Sequence, residues 1–461
     1  MEQLKKNELF TAAVEAYSAD GAGIARIGGQ VVFVKGAIRG ETCRIKILKV
    51  LKNHAYGKIE EILEPAPARI TPTCPVFGKC GGCDFMHMDY SEELALKKQR
   101  VQDALTRIGG LDIEVSEISG ADQLCHYRNK AIFAVGPKDG RPVAGFYRGR
   151  SHDIVPAQSC AIQAKAAAQA ADAVCRWMAR CGIPAYDEES GQGALRHVFC
   201  RWGRKTGEFQ VTVVSAKKKL RGTETLIEEI LNSCPETVSI VLNINETKGN
   251  TVLSGPCVTL WGKPYITDEL MGLRFKLSPM SFYQVNRDQA EKLYRKVLDF
   301  AALSGEETVV DLYCGTGTIT LCLAGRAKRV IGAEIVPAAV EDARENAENN
   351  GISNAEFILG DAGKAAAEIR NRGIRPDVVV VDPPRKGLSP EVPSIIGEMA
   401  PERVVYVSCD PATLARDLKI FSGLGYTAAR AEAVDMFPRC AHIETVVLLC
   451  RLRKPGVMHS E

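Results

Sequence analysis

The stretch Thr308-Val309-Val310-Asp311-Leu312-Tyr313-Cys314-Gly315-Thr316-Gly317-Thr318-Ile319-Thr320-Leu321 decides the fold. A short apolar run ends in an acid, passes a glycine turn and enters an apolar stretch, which reads as strand, turn and helix in succession. The rhythm recurs in RVIGAEI (329–335), AEFILGD (355–361), DVVVVDPP (377–384) and RVVYVSCD (403–410), each separated from the next by a helical segment. Strands of this unbroken apolar kind need both faces covered, so the region from Glu306 onward predicts an α/β domain built on a doubly wound parallel sheet.

Working toward the N-terminus, residues 119 to about 270 mix strands such as KAIFAVG and GEFQVTVVSA with the helical stretch AIQAKAAAQAADAVCRWMARCG. SEELALKKQRVQDALTRI (91–108) predicts a helix with Ser91 as N-cap and Leu94, Val101, Leu105 and Ile108 on its packed face. A Pro-rich linker precedes it, Glu64-Pro65-Ala66-Pro67-Ala68 followed by Thr71-Pro72-Thr73. Before the linker, β-branched runs alternate with glycine turns over a length suited to a small closed or partly closed barrel. Arg44, Lys46, Lys49, Lys52 and Lys58 give that barrel a basic stripe fit for a phosphate backbone.

Composition narrows the class. Of 461 residues, 46% are apolar and 25% charged, too apolar for a disordered chain. The opening MEQLKKNELF is polar, and no uncharged run approaches the roughly 18 residues of a membrane span, so a cytoplasmic protein without membrane attachment is expected. In that compartment the 16 cysteines are core residues, metal ligands or nucleophiles rather than a disulfide framework. The net charge of +3 excludes a histone-like blanket of positive charge and leaves room for local basic surfaces.

The glycine turn has the chemistry of a nucleoside site. Gly315 and Gly317 let backbone approach a ligand, and Glu334, 23 residues after Asp311 and at the end of the next strand, is placed to bind a ribose diol. Thr320 stands where a dinucleotide fingerprint has its third glycine. With an acid four residues before Gly315, the turn resembles the first motif of Rossmann-like S-adenosylmethionine-dependent methyltransferases. Asp361, closing the third strand, would then face the adenine amino group.

Two further strand ends carry reactive groups. Asp382-Pro383-Pro384-Arg385 resembles the turn of amino-group methylases but has Arg385 in the place of their stacking aromatic residue. Ser408-Cys409-Asp410 puts a thiol at the carboxyl edge of a parallel strand, where open α/β sheets bind ligands. A thiol is what a pyrimidine methylation requires: its addition to carbon 6 makes carbon 5 nucleophilic toward a sulfonium methyl group, and a base must then remove the carbon-5 proton. Glu444, opening the run TVVLLC, is the candidate base, and His442 competes for that role.

Cys74, Cys80 and Cys83 fall within ten residues, with Gly81 and Gly82 between the last two. With a fourth thiolate they can hold zinc or an iron–sulfur cluster, and spacing alone does not choose.

DLYCGTGTITL, VDPPRKGL, YVSCDPATLARDL and HIETVVLL, in that order, resemble the RNA uracil-5-methyltransferase family. Adding the cysteines narrows the resemblance to the iron–sulfur 23S rRNA (uracil-5-)-methyltransferases, and AGIARIGGQVVFVKGAIRGE resembles their N-terminal TRAM barrel. The resemblance implies an OB-like TRAM barrel over 1–63, an α+β central domain over 64–275 with a [4Fe–4S] cluster, and a Rossmann-like methyltransferase domain over 276–461. Because the family's central domain is discontinuous, the 91–108 helix could pack on the catalytic domain. Cys74, Cys80, Cys83 and Cys160 are the implied cluster ligands. Gln284, Tyr313, Glu334 and Asp382 are implied contacts to S-adenosylmethionine, with Asp361 and Thr318 also carried over. Cys409 is the implied nucleophile and Glu444 the base, while Arg128 matches a basic position near the substrate. The implied partner is 23S ribosomal RNA, with no membrane and no obligate protein partner, and a tRNA uridine is the alternative substrate. A non-catalytic iron–sulfur RNA-binding protein is the alternative from another class.

Overall fold

A computed structural model describes residues 4–149, 151–157 and 159–452. Its strands Leu9–Tyr17, Gly23–Ile27, Gln30–Lys35, Thr42–Val50 and His54–Glu64 close into a five-stranded barrel, the last two exchanging places in the ring. Val14, Ala25, Val32, Val34, Ile45 and Ile47 fill the barrel, alternating along their strands with outward residues. Gly57 is required where two strands press together, because a Cβ there would lie 2.4 Å from Ile45 Cγ2.

The second body is a seven-stranded sheet. In spatial order it runs Cys257–Gly262, Thr237–Ile244, Phe209–Ser215, Leu195–Trp202, Lys130–Lys138, Arg141–Tyr147 and Ile154–Pro156. Helices Lys165–Cys181 and Thr223–Ser233 cover it, with Trp177 wholly buried between sheet and helices. The Trp177 indole N–H is satisfied by the carbonyl of Gly222 at 2.8 Å.

The third body is an eight-stranded sheet ordered Ala355–Leu359, Arg329–Glu334, Thr308–Leu312, Val378–Val381, Arg403–Ser408, Glu444–Arg451, Tyr426–Val434 and Val115–Ser119. The first five strands are parallel, and Glu444–Arg451 runs antiparallel to both of its neighbours. Separate apolar cores lie on the two faces of this sheet, which is why Val378 to Val381 is an unbroken apolar run with every residue buried. Strand order reverses between Thr308–Leu312 and Val378–Val381, opening a crevice at their carboxyl ends.

Two segments of the 64–275 stretch pack with the third body. Helix Tyr90–Arg107 packs on helix Pro411–Gly423, its Val101 and Leu105 sharing a core with Leu414 and Leu418, and the following strand Val115–Ser119 joins the edge of the catalytic sheet. The hairpin Ile266–Leu270 and Leu273–Leu277 likewise buries Ile266, Phe275 and Leu277 in the catalytic core. Apolar packing from distant strands decides both cases, and neither shows as a composition shift.

The helix itself also differs from expectation. Its N-cap is Asp89, which accepts from the Glu92 N–H, while Ser91 only donates its hydroxyl to Asp89. Ile108 is exposed, and the buried face instead carries Glu93 and Lys97 beside Leu96, Val101 and Leu105. Lys97 is buried because its ammonium reaches Glu93 and Asp435, both at 2.7 Å. A pattern of apolar residues cannot reveal a charge that is neutralised 338 residues away in the chain.

Candidate active site

The glycine turn at the crevice is built by backbone conformation. Tyr313, Gly315 and Gly317 all have positive φ, of 71°, 55° and 82°. A Cβ on Gly315 would meet nothing, so its conformation is what calls for glycine, whereas one on Gly317 would press on Ala343 and Phe357 at 3.2 and 3.4 Å. Glu334 closes the pocket wall, one carboxylate oxygen accepting from the Gly315 N–H at 3.1 Å and the other from the Val336 N–H at 2.9 Å. Thus fixed, its remaining lone pairs can accept from a vicinal diol.

Asp311 lies under the turn, 1% exposed, and accepts from the Thr320 hydroxyl at 2.6 Å. Thr320 replaces the third fingerprint glycine because its hydroxyl serves this acid. Burial raises Asp311 to about 7, with Asp382 and Glu334 adding to the rise and the Thr320 bond opposing it.

The segment Ser278–Asn286 covers the turn. Thr316 Oγ1 reaches the Phe282 carbonyl at 3.4 Å, Asn129 holds the Gln284 carbonyl at 2.9 Å, and the Arg201 guanidinium holds the Ser281 carbonyl at 2.6 Å. Gln284 is thereby brought beside the turn, nearly buried, while Phe282 stays 62% exposed at its rim. Thr318 is engaged with the Tyr294 hydroxyl at 2.8 Å. Asp361 is an exposed N-cap, accepting from the Gly363 N–H at 3.0 Å at the start of helix Ala362–Asn371.

The reactive groups gather on the neighbouring strand ends. Arg403–Ser408 pairs with Glu444–Arg451 in antiparallel register, Ser408 facing Thr445. Cys409 directly follows the first of these strands and Glu444 begins the second. Burial raises the Cys409 thiol to about 11, with Glu444 and Asp382 reinforcing the rise and Arg385 opposing it. Glu444 is 4% exposed and sits well above the carboxylate range because of its burial and the nearby Asp382. Burial raises Asp382 to about 7. The site therefore pairs a thiol with two carboxyl groups that hold protons near neutral pH, a set able to exchange protons with a substrate between them. His442 bonds Arg385 at 3.1 Å.

The expected ligand cysteines also meet. Cys74, Cys80, Cys83 and Cys160 line one cavity of about 380 Å³, together with Cys440 and Arg128. Burial raises the thiols of Cys80 and Cys160. All 16 cysteines are free, and among the described residues no three His, Cys, Asp or Glu side chains converge closely enough to hold a single metal ion. Cys440 is a fifth thiol of this cavity that spacing did not single out, since it arrives from the far end of the chain.

Two cations were also missed. Lys130 lines the same cavity and is drawn down to about 8 by burial, with Arg201 and Arg128 adding repulsion. Arg201 is 3% exposed and its Nη1 has no partner, nor has Nε of Arg128. In sequence they are ordinary basic residues on strands. Arg128 and Lys130 thus place positive charge at the cavity, with the buried Arg201 near enough to Lys130 to add repulsion.

Comparison with known proteins agrees with this geometry. Residues 262–452 match the tRNA (Uracil-5-)-methyltransferase family and residues 3–59 match the TRAM domain. An uncharacterized RNA methyltransferase of Clostridium tetani is 43% identical over 446 residues, 97% of each chain. One from Bacillus cereus is 43% identical over 452 residues, 98% of each chain. The crystal structure of Pyrococcus abyssi tRNA (uracil-54, C5)-methyltransferase with S-adenosyl-L-homocysteine superposes with a TM-score of 0.78, at 27% identity, covering 95% of this chain and 99% of that one. With the glycine turn and the thiol placed as they are, the chain belongs to the S-adenosylmethionine-dependent RNA (uracil-5-)-methyltransferase family and carries a TRAM domain at its N-terminus.

Proposed function

We propose that this enzyme methylates carbon 5 of a uridine in 23S ribosomal RNA through a covalent adduct on Cys409. The observation that carries the chemistry is the placement of Cys409 and Glu444 next to the Ser408–Thr445 pair that ends one antiparallel ladder, with Glu444 and Asp382 both raising the Cys409 thiol. When bound, S-adenosylmethionine supplies the electrophilic methyl group, with Glu334 on its ribose, Gln284, Tyr313 and Asp382 lining its site, and Asp361 and Thr318 at its periphery. The target uridine is turned out of its stack into the crevice. Cys409 gives up its proton to solvent and its sulfur adds to carbon 6, so that carbon 5 acquires the electrons to take the methyl group as S-adenosylhomocysteine leaves. Glu444, in its carboxylate form, removes the carbon-5 proton, and elimination of the Cys409 thiolate restores the ring double bond. Its burial favours the protonated product of that step.

RNA is gripped on two surfaces in this reading. Arg128 and Lys130 offer positive charge to a phosphate. On the barrel, Phe33, His54 and Tyr56 make a cluster with ring centroids 5.3–5.7 Å apart, and Lys49 stands opposite Tyr56 in register. Stacking rings beside lysines suit unpaired RNA.

We assign a [4Fe–4S] cluster to Cys74, Cys80, Cys83 and Cys160. The four thiols line one cavity, a set of ligands able to hold such a cluster. Bound there, the cluster would tie the cysteine loop to the central sheet. Iron and sulfide analysis of anaerobically purified protein tests this, and a zinc-only result contradicts it.

The cysteine loop together with the barrel supports ribosomal RNA. A tRNA substrate is the second reading, favoured by the structural relative whose substrate is tRNA uracil-54. Mapping 5-methyluridine in both RNAs from cells lacking the protein decides between them: loss from 23S RNA supports the first, loss from tRNA alone the second. The reading places the enzyme in the cytoplasm with its RNA.

A further inference from the structure

Glu444 is the first residue of its strand, so its position depends on the segment before it. That segment is held almost entirely by residues from outside its own sheet. Arg439 has φ of 70°, unusual for a residue with a side chain, and so needs neighbours that fix it. The cysteine loop provides them. The N–H groups of Asp84 and Phe85 both donate to the Arg439 carbonyl, at 2.8 and 3.1 Å. The Asp84 carboxylate accepts from the Ala441 N–H at 2.9 Å, and Cys440 Sγ contacts the Gly82 carbonyl at 3.1 Å. Asp84 directly follows Cys83, so the loop that bears three cysteines also grips the approach to the catalytic base.

Other anchors complete the clamp. Tyr127, 1% exposed, donates its hydroxyl to the Pro438 carbonyl at 2.9 Å. Glu93 accepts from the Arg439 N–H at 2.7 Å, and Arg100 donates to the Ala441 carbonyl at 2.5 Å. The segment is thus bonded at Pro438, Arg439, Cys440 and Ala441, and two residues later the chain enters Ile443 and Glu444. A carboxylate that must meet a carbon-5 proton tolerates little displacement.

We propose that Asp84 and Tyr127 are positioning residues for methyl transfer: they fix Pro438–Ala441 and thereby hold Glu444 near Cys409, so that the cysteine loop takes part in releasing the methylated RNA. The inference rests on Glu444 being the base. Its signature differs from that of an RNA-binding defect. A misplaced base leaves the thiol addition and methyl transfer intact and stalls the last step, so the RNA remains covalently bound to Cys409.

The test compares wild type, Glu444→Gln, Asp84→Ala, Asp84→Asn and Tyr127→Phe as full-length proteins, incubated with substrate RNA and S-adenosylmethionine and run on a denaturing gel. RNA and cofactor affinities are measured alongside. Asp84→Ala is expected to slow turnover by roughly tenfold or more, the worth of one charge-assisted hydrogen bond. It should accumulate the slow-migrating RNA adduct seen with Glu444→Gln while both affinities hold. Asp84→Asn, which keeps an acceptor for the Ala441 N–H, should restore release. Tyr127→Phe, which removes one hydroxyl away from the cysteine loop, should give the same adduct. An adduct with Glu444→Gln but none with Asp84→Ala and Tyr127→Phe overturns the inference alone. No adduct with Glu444→Gln overturns the assignment of the base, and the inference with it.

Discussion

Cys409 and Glu444 adjoin the Ser408–Thr445 pair that ends the ladder, and the Glu444 carboxyl helps to raise the Cys409 thiol. The antiparallel strand is thus what brings the proposed base to the proposed nucleophile.

Removing the thiol should stop the reaction at its first step. Cys409→Ala is expected to bind RNA and S-adenosylmethionine as wild type does while losing methylation, measured by transfer of a labelled methyl group. Full activity in this variant would end the covalent mechanism.

The acids predict a pH dependence of stability. Asp311 and Asp382 are raised to about 7 by burial, whereas an unfolded aspartate titrates near 3.9. Between about pH 4 and 7 the native state therefore holds more protons than the unfolded state, so stability falls as pH rises through that window. The change is on the order of a few kcal/mol. Thermal unfolding of ligand-free protein should show a lower Tm at pH 8 than at pH 5.5, and Asp382→Asn should flatten the decline. The sulfonium charge of the cofactor favours the carboxylate forms, so its affinity should rise with pH up to about 7. A Tm that climbs from pH 5.5 to 8 in the ligand-free protein contradicts the assignment.

Glu334 holds the Gly315 and Val336 amides and is the proposed cofactor-ribose contact. Glu334→Ala is expected to weaken S-adenosylmethionine binding by roughly ten- to a hundredfold in calorimetry, the worth of its charge-assisted hydrogen bonds. Unchanged affinity would place the ribose elsewhere.

Lys130 should trade stability for RNA affinity. A buried ammonium next to Arg128 and Arg201 destabilises the fold unless an anion arrives. Lys130→Met should hold or raise Tm while weakening RNA binding, and should reduce the slope of log K against log salt by about one. Lower Tm with unchanged RNA affinity would make Lys130 structural.

The reading from sequence reached far where chemistry and periodicity are local. Val378–Val381, the Asp311–Gly317 turn and the thiol at Cys409 each announce their place through neighbours in the chain, because a strand buried on both faces and a turn with positive φ restrict residue types on the spot. Distance hid the rest. Lys97 is buried by a partner, Asp435, that is far along the chain. Lys130 and Cys440 acquire meaning only when the central sheet and the C-terminal loop meet around one cavity.

The most direct measurement is peptide-mapped mass spectrometry of the Glu444→Gln protein after incubation with substrate RNA and S-adenosylmethionine. The account predicts a uridine nucleotide, already methylated at carbon 5, attached to the peptide containing Cys409. Attachment at another cysteine, or free methylated RNA released at the wild-type rate, would contradict it.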